Sequence, residues 1–268
     1  MLACALACAC AHGPRETPAQ FRMALFGSTC PESPFKGNNP LLGNLTAEIN
    51  RENPHFAVHM GDIVFGGHDW MGIRESDLVR QLRDYREQSS CLRPPVFHVK
   101  GEMDMLAGKD SLYRTFTGRP PYYSFNYGNV HCVVLDTSGG GPGKIGERQM
   151  RWLKDDLMRH GRRAAIFVFA HHPLFAPDDG ELSEGDRCAD AQSLHALFRQ
   201  FPVTAVFSGH LKKHSQSSRD GILYVIAGSE FTSSAPRWGK VERKFTWHMV
   251  DFSGAQPVIT RKQVENIR

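Results

Sequence analysis

The chain has 268 residues, of which 41% are hydrophobic and 10% aromatic, enough to bury a sizeable core as one large domain or two small ones. Its formal net charge is only +4, without a block of like charges, which removes the electrostatic case for nucleic-acid or membrane-surface binding. Among its seven cysteines there is no CxxC spacing, which argues against a structural zinc site or a thioredoxin-type motif.

Residues 1–11 (MLACALACACA) are small, apolar and uncharged, and a polar linker through Pro18 follows. The stretch resembles the apolar and cleavage portions of a secretory leader, although it lacks a cationic start and is too short to span a bilayer. Residues 1–20 are therefore expected to be leader and linker, with one domain over 21–268. Export to the periplasm or cell surface is the expectation, with lipid attachment at Cys4, Cys8 or Cys10 as its extension and a cytosolic tail as the competing reading. No later segment is apolar enough to be transmembrane.

Within the domain, residues 21–26 predict a first strand ending at Gly27-Ser28-Thr29-Cys30. Leu42, Leu45 and Ile49 share one face of a helix over 40–50. Residues 56–58 predict a short buried strand, after which Gly61 lets the chain turn and Asp62 follows. Ser76 is a candidate cap for a helix carrying Val79, Leu82 and Tyr85. A strand over 95–99 ends at Lys100-Gly101-Glu102-Met103-Asp104, and residues 122–127 and 130–135 form a hairpin across Gly128-Asn129. A glycine-rich loop over 139–146 leads to a helix with Met150, Leu153 and Leu157 on one face. The apolar strand 165–170 closes on His171-His172-Pro173. A polar insert over 176–187 precedes a helix with Leu194, Leu197 and Phe198, and the strand 203–207 closes on Ser208-Gly209-His210. Residues 222–227, 246–252 and 257–260 are β-rich. Strands alternating with helices, then strand-rich segments, predict an α/β fold of stacked mixed sheets flanked by helices.

Four of these strands end in residues able to hold a metal: Asp62, Glu102 with Asp104, His171 with His172, and His210. Carboxylates and imidazoles suit zinc, manganese or iron, and rigid strand ends are where such sites are built. The order of these motifs, with the hairpin text between them, resembles the calcineurin-like metallophosphoesterases, in particular their purple-acid-phosphatase-like and cyclic-nucleotide-phosphodiesterase-like bacterial branch. The resemblance covers residues 21–260 and implies a four-layer αββα sandwich of two mixed sheets with a two-metal site.

The family pattern DxH, GD, GNH[DE], HxP and GHxH is only partly kept. Its first Asp and His fall on Ser28 and Cys30, its Asn and His on Glu102 and Met103, and its last His on Lys212. By the resemblance, the first metal site keeps only Asp62, whereas the second keeps Asp62, Glu102, His171 and His210. The expectation is at most one divalent ion, with Asp62, Asp104, His210 and Lys212 as the candidate catalytic groups. Two arrangements stay open. In one, a single ion is bound and Lys212 stands in for the lost cation. In the other, no metal is bound and Lys212 neutralises Asp62 or Glu102 in a buried ion-pair network. Two unit charges about 4 Å apart repel by roughly 4 kcal/mol at a surface-like dielectric, so ion and ammonium coexist only with both carboxylates ionised between them.

Met103 carries no transferable proton, so it cannot replace the histidine that family members use on the leaving group. The functional expectation is a weakly active or inactive exported binding or structural protein, acting on a phosphoester ligand or an unknown protein partner. The alternative is a mononuclear hydrolase of phosphomonoesters or phosphodiesters in which Lys212 replaces one cation. Cys30 and Cys188 are expected to be two unrelated thiols, with a disulfide pinning the polar insert as the alternative if the chain is exported.

Overall fold

In the computed structural model, residues 20–35, 41–67, 72–141, 143–176, 181–229, 231–234, 242–254 and 256–267 are described. Side-chain alternation decides which way each strand faces. In β1 (Phe21–Phe26), Phe21, Met23 and Leu25 point to one cluster, and Ala24 and Phe26 point to another. In β6 (Ala165–Ala170), Phe167 and Phe169 join the first of these clusters, whereas Ile166, Val168 and Ala170 face a third. Burial on both faces is why these strands read as continuous apolar runs.

β2 (Phe56–His59) and β3 (Val96–His98) extend β1 in parallel, and β11 (Glu242–Phe252) pairs with β1 in the antiparallel sense. With β10 (Phe231–Ser234) and β12 (Val258–Ile267) they make one six-stranded mixed sheet. The second sheet also has six strands. The hairpin β4 (Tyr123–Tyr127) and β5 (Val130–Val134) leads into β6, then β7 (Val203–Ser208), β9 (Ile222–Ala227) and, at the edge, β8 (His214–Arg219). Phe21, Phe56 and Phe252 of the first sheet meet Phe167 and Phe207 of the second in the shared cluster between them.

Helices cover the outer faces. Leu45 and Ile49 of α1 (Leu42–Glu52), Leu78, Leu82 and Tyr85 of α2 (Glu75–Ser89) and Tyr113 of α3 (Ser111–Thr117) pack on the first sheet. Leu153 and Leu157 of α4 (Gly146–His160) and Leu194 and Phe198 of α5 (Ala191–Phe198) pack on the second. The result is the αββα sandwich that the strand pattern and the resemblance imply.

Several details differ from the sequence reading. α2 begins at Glu75 rather than behind Ser76, and its apolar face is Leu78, Leu82 and Tyr85, which are spaced i, i+4, i+7. Val79 points outward and is 49% exposed. α3, β8 and β10 were not expected. β8 has no apolar alternation because its sequence, HSQSSR, runs along an exposed sheet edge. Cys30 and Cys188 are both free thiols, as expected, and the alternative disulfide does not form. Cys188 is buried in the apolar layer beneath α5, whereas Cys30 stands at the end of β1, so the two do not pair. The leader over 1–19 lies outside the described residues. Among the described residues, no helix is long and apolar enough to cross a membrane.

Candidate metal centre

Parallel strands in both sheets deliver their carboxyl ends to one edge of the sandwich. Three residues there, Ser28, Asp62 and His210, adopt left-handed backbone with φ of 50°, 61° and 62°. That conformation costs an L-residue about 1–2 kcal/mol and persists only where the surroundings hold it. Here the Ser28 N–H donates to the Gly61 carbonyl at 2.8 Å, and the Cys30 N–H to the Asp62 carbonyl at 3.0 Å. Gly61 itself has φ +101°, and a Cβ there would run into Nδ1 of His171. A Cβ on Gly101 would strike the Asp62 carboxylate.

These turns bring Glu102, His171 and His210 together. Glu102 Oε2 is 2.6 Å from His171 Nε2, and Glu102 Oε1 is 3.1 Å from His210 Nδ1. Asp62 stands one step outside, with Oδ2 3.5 Å from His171 Nε2 and Oδ1 accepting the Met103 N–H at 3.2 Å. Within the described residues, Glu102, His171 and His210 form a group whose ligand atoms all lie within 4.8 Å of one another.

The outer faces of both rings are already committed. His171 Nδ1–H donates to the Met60 carbonyl at 2.7 Å, and His210 Nε2–H to Asp186 Oδ1 at 3.2 Å. Each neutral ring would therefore turn a lone pair inward, and those two nitrogens are only 3.2 Å apart. Facing lone pairs repel unless a proton or a metal ion lies between them. Glu102 Oε2 points the same way and, despite its closeness to His171, makes no well-formed hydrogen bond. This donor set fits one divalent cation.

Without a cation, a proton takes that place. Burial opposes the charge on His171, but Asp62 and Glu102 together outweigh it and raise the ring to about 10. Burial likewise opposes ionisation of Glu102, and the two imidazoles overcome it, holding the carboxylate well below its ordinary range. Burial pushes Asp62 upward. His172 is depressed to about 3 by burial and by the neighbouring His171 and His210. Its Nδ1 bonds Thr137 Oγ1 at 2.8 Å, and its Nε2 lies 3.8 Å from Glu102 Oε2.

The sequence candidates thus divide. Asp62, Glu102, His171 and His210 share one pocket. Asp104 does not join their chemistry. Each of its oxygens accepts two backbone N–H groups, from Ile63 and Val64 on one and from Asp62 and Gly101 on the other. Burial pushes Asp104 up to about 7, yet with four donors aimed at it no lone pair is left for a proton, and we read it as an ionised brace for the Asp62 turn. The ion pair expected of Lys212 does not form. Lys212 is exposed and makes none with Asp62 or Glu102, because a flexible, strongly hydrated ammonium gains little by entering a pocket whose carboxylates already face imidazoles. His59 is a neutral buried brace, since Nδ1 accepts the Gly61 N–H and Nε2–H meets Thr29 Oγ1.

Asp186 and Thr137 orient His210 and His172, and neither stood out in the sequence. Asp186 lies in the polar insert, where no periodicity marks it. Its one signal was an acid in a loop beside the HHP and GH strand ends. A second group of potential ligands, His131, Asp156 and His160, behaves differently. The two rings stack at 3.9 Å and 15°, so their in-plane lone pairs cannot meet on one ion. His131 Nε2 is already 2.7 Å from Asp156 Oδ2. This group ties the β4–β5 hairpin to α4.

Imidazoles and carboxylates gathered at the strand ends of two facing mixed sheets define the metallophosphoesterase architecture. The chain belongs to the calcineurin-like phosphoesterase family, whose model matches residues 6–213. It is 29% identical over 196 residues to the serine/threonine-protein phosphatase CPPED1 of Danio rerio, a match covering 66% of this chain and 60% of that protein. It is 27% identical over 123 residues to purple acid phosphatase 15 of Arabidopsis thaliana, covering 40% of this chain and 21% of that one. The chain therefore spans less than two thirds of either curated relative. Among solved structures, a dimetal phosphatase from Danio rerio superposes with a TM-score of 0.61 at 15% identity, covering 89% of this chain and 98% of that one. The purple acid phosphatase PPD1 of Lupinus luteus gives 0.58 at 12% identity, with 90% and 53% covered. GAP50, the anchor in the inner membrane complex of Plasmodium, gives 0.56 at 16% identity, with 92% and 85% covered. At these identities the superpositions speak for the fold.

Proposed function

We infer that this protein holds one divalent cation through Glu102, His171 and His210, with Asp62 beside them, and binds a phosphoester ligand with little or no turnover. The observation that carries this reading is the pair of inward ring nitrogens 3.2 Å apart next to a buried carboxylate oxygen, a set that needs one positive charge at its centre. A bound ion would act as a Lewis acid toward a phosphoryl oxygen. Asp186 and the Met60 carbonyl hold the rings in register for it, and the exposed ammonium of Lys212 offers a phosphate a second positive contact. Two-metal hydrolysis is disfavoured by Ser28, Cys30 and Lys212, which offer a weak hydroxyl, a thiol that burial keeps protonated and a cation where a second ion would need ligands, and by Met103, which has no proton to give. The family fold is compatible with both outcomes, since it occurs in a dimetal phosphatase and in an anchor. Export, suggested by residues 1–11, completes the reading of a binding or structural protein.

The test is metal analysis of the full chain after loading with manganese or zinc, followed by chromogenic phosphomonoester and phosphodiester assays. We expect one ion per chain and turnover at the buffer rate. Two ions per chain, or turnover abolished by Asp62→Asn and by His210→Ala, would replace this reading with that of a hydrolase. Export is checked by the mature N-terminus, and an intact Met1 on cytosolic protein would overturn it.

A further inference from the structure

Lys100 has no part in the site so far. It stands two residues before Glu102 and is only 1% exposed, with its ammonium 2.9 Å from Asp136 Oδ2 and 3.8 Å from Asp110 Oδ2. Lysine is rarely enclosed to this degree, and a well-packed apolar residue in place of a buried ion pair is often no less stable. Stability alone is a weak reason for this pair.

Its placement suggests another. Lys100 follows β3 in the first sheet, and Asp136 follows β5 in the second. Asp136 is itself fixed, since Oδ1 accepts the N–H groups of Ser138 and Gly139, and its backbone is held at both N–H and carbonyl by the Gln149 side chain on α4. Gly139 is needed there, because a Cβ would run into Asp136 Oδ2, the oxygen turned to Lys100. The next residue, Thr137, both bonds His172 Nδ1 and accepts the His172 N–H at 3.1 Å. One end of the pair thus leads to Glu102 through Gly101, and the other to the His171-His172 segment through Thr137.

The candidate ligands are divided in the same way. Asp62 and Glu102 come from the first sheet, and His171 and His210 from the second. Between the sheets lies an apolar layer, whose attraction is non-directional, crossed by hydrogen bonds from His171 to the Met60 carbonyl and between Tyr123 and the His98 backbone. The Lys100–Asp136 pair adds to these a buried, directional ionic contact beside Glu102.

We propose that Lys100 and Asp136 form a positioning clamp that sets the separation of Glu102 from His171, and with it the affinity of the site for its cation. This rests on the single-cation reading above. Neither residue touches the ion or its ligand.

The variant of choice is the double substitution Lys100→Met with Asp136→Asn, which removes both charges and keeps an acceptor for Ser138 and Gly139. Full-length wild type and variant are titrated with manganese and with zinc by calorimetry. Their metal-free thermal midpoints are compared, and imidazole nitrogen NMR spectra of both metal-free proteins are recorded. We expect a folded variant with a midpoint near that of wild type, about tenfold or more weaker metal binding, and His171 resonances shifted by loss of the Glu102 contact. Lys100→Arg should recover part of the affinity. A lowered midpoint with unchanged affinity and unchanged His171 resonances would make the pair merely structural and overturn the proposal. If wild type binds neither metal but the variant still shifts His171, the clamp stands and the metal reading falls.

Discussion

His171 is fixed from behind by the Met60 carbonyl, so whatever neutralises Asp62 and Glu102 must reach Nε2. In the metal-free protein that is a proton, held to about 10 against an ordinary value near 6.5. Because the folded value is the higher one, the stability this proton contributes is complete below about pH 6.5 and is lost as pH rises through about 10. The metal-free chain should therefore lose thermal stability across that interval, and His171→Gln should flatten the dependence. A metal must expel the same proton, so affinity should rise with pH over the interval, with close to one proton released per ion. Calorimetry in buffers of different ionisation enthalpy would measure it, and absence of a buffer effect would mean the ring is already neutral. Asp186 sets the orientation of His210 from outside, and Asp186→Asn is expected to weaken metal binding by about tenfold while leaving the fold intact. Equal affinity in the variant would show that the 3.2 Å contact orients nothing.

Among the elements, α2 offers a sharp contrast within one turn of helix. Leu78 is buried and Val79 is 49% exposed. Leu78→Ala should destabilise by about 2–5 kcal/mol, and Val79→Ala should fall within about 0.5 kcal/mol of wild type by urea denaturation. The sequence placed Val79 inward because a three-residue step from Val79 to Leu82 fits a helix as well as the four-residue step from Leu78. The strands were easier to read. Residues 165–170 are apolar throughout because a strand covered on both faces has no polar side, and the turn at Gly61-Asp62 follows from the glycine. What stayed hidden was contact between distant segments. Nothing local to the acid in the polar insert says that Asp186 meets His210, nothing near Cys188 says that it faces the core, and nothing in Lys212 says that its ammonium stays in solvent. Lys100, read only as the residue ahead of a glycine, gave no hint of Asp136.

Across the whole molecule, the proposed cation would link binding to folding, since both sheets contribute to the pocket. An ion at about 100 times its dissociation constant should add about 2.7 kcal/mol, or roughly 5–10 °C in thermal midpoint for a chain of this size. Glu102→Gln should abolish the shift, and an equal shift in that variant would put the ion elsewhere. The backbone at Ser28 has a different implication. It keeps a left-handed turn, with φ of 50°, although a serine hydroxyl is a poor metal ligand. Aspartate tolerates that conformation better than most side chains. On the single-cation reading, the frame for a second ion thus outlasts its ligands, and Ser28→Asp, Cys30→His and Lys212→His, made together with Met103→His, are the substitutions by which this scaffold would gain both a second ion site and a proton donor.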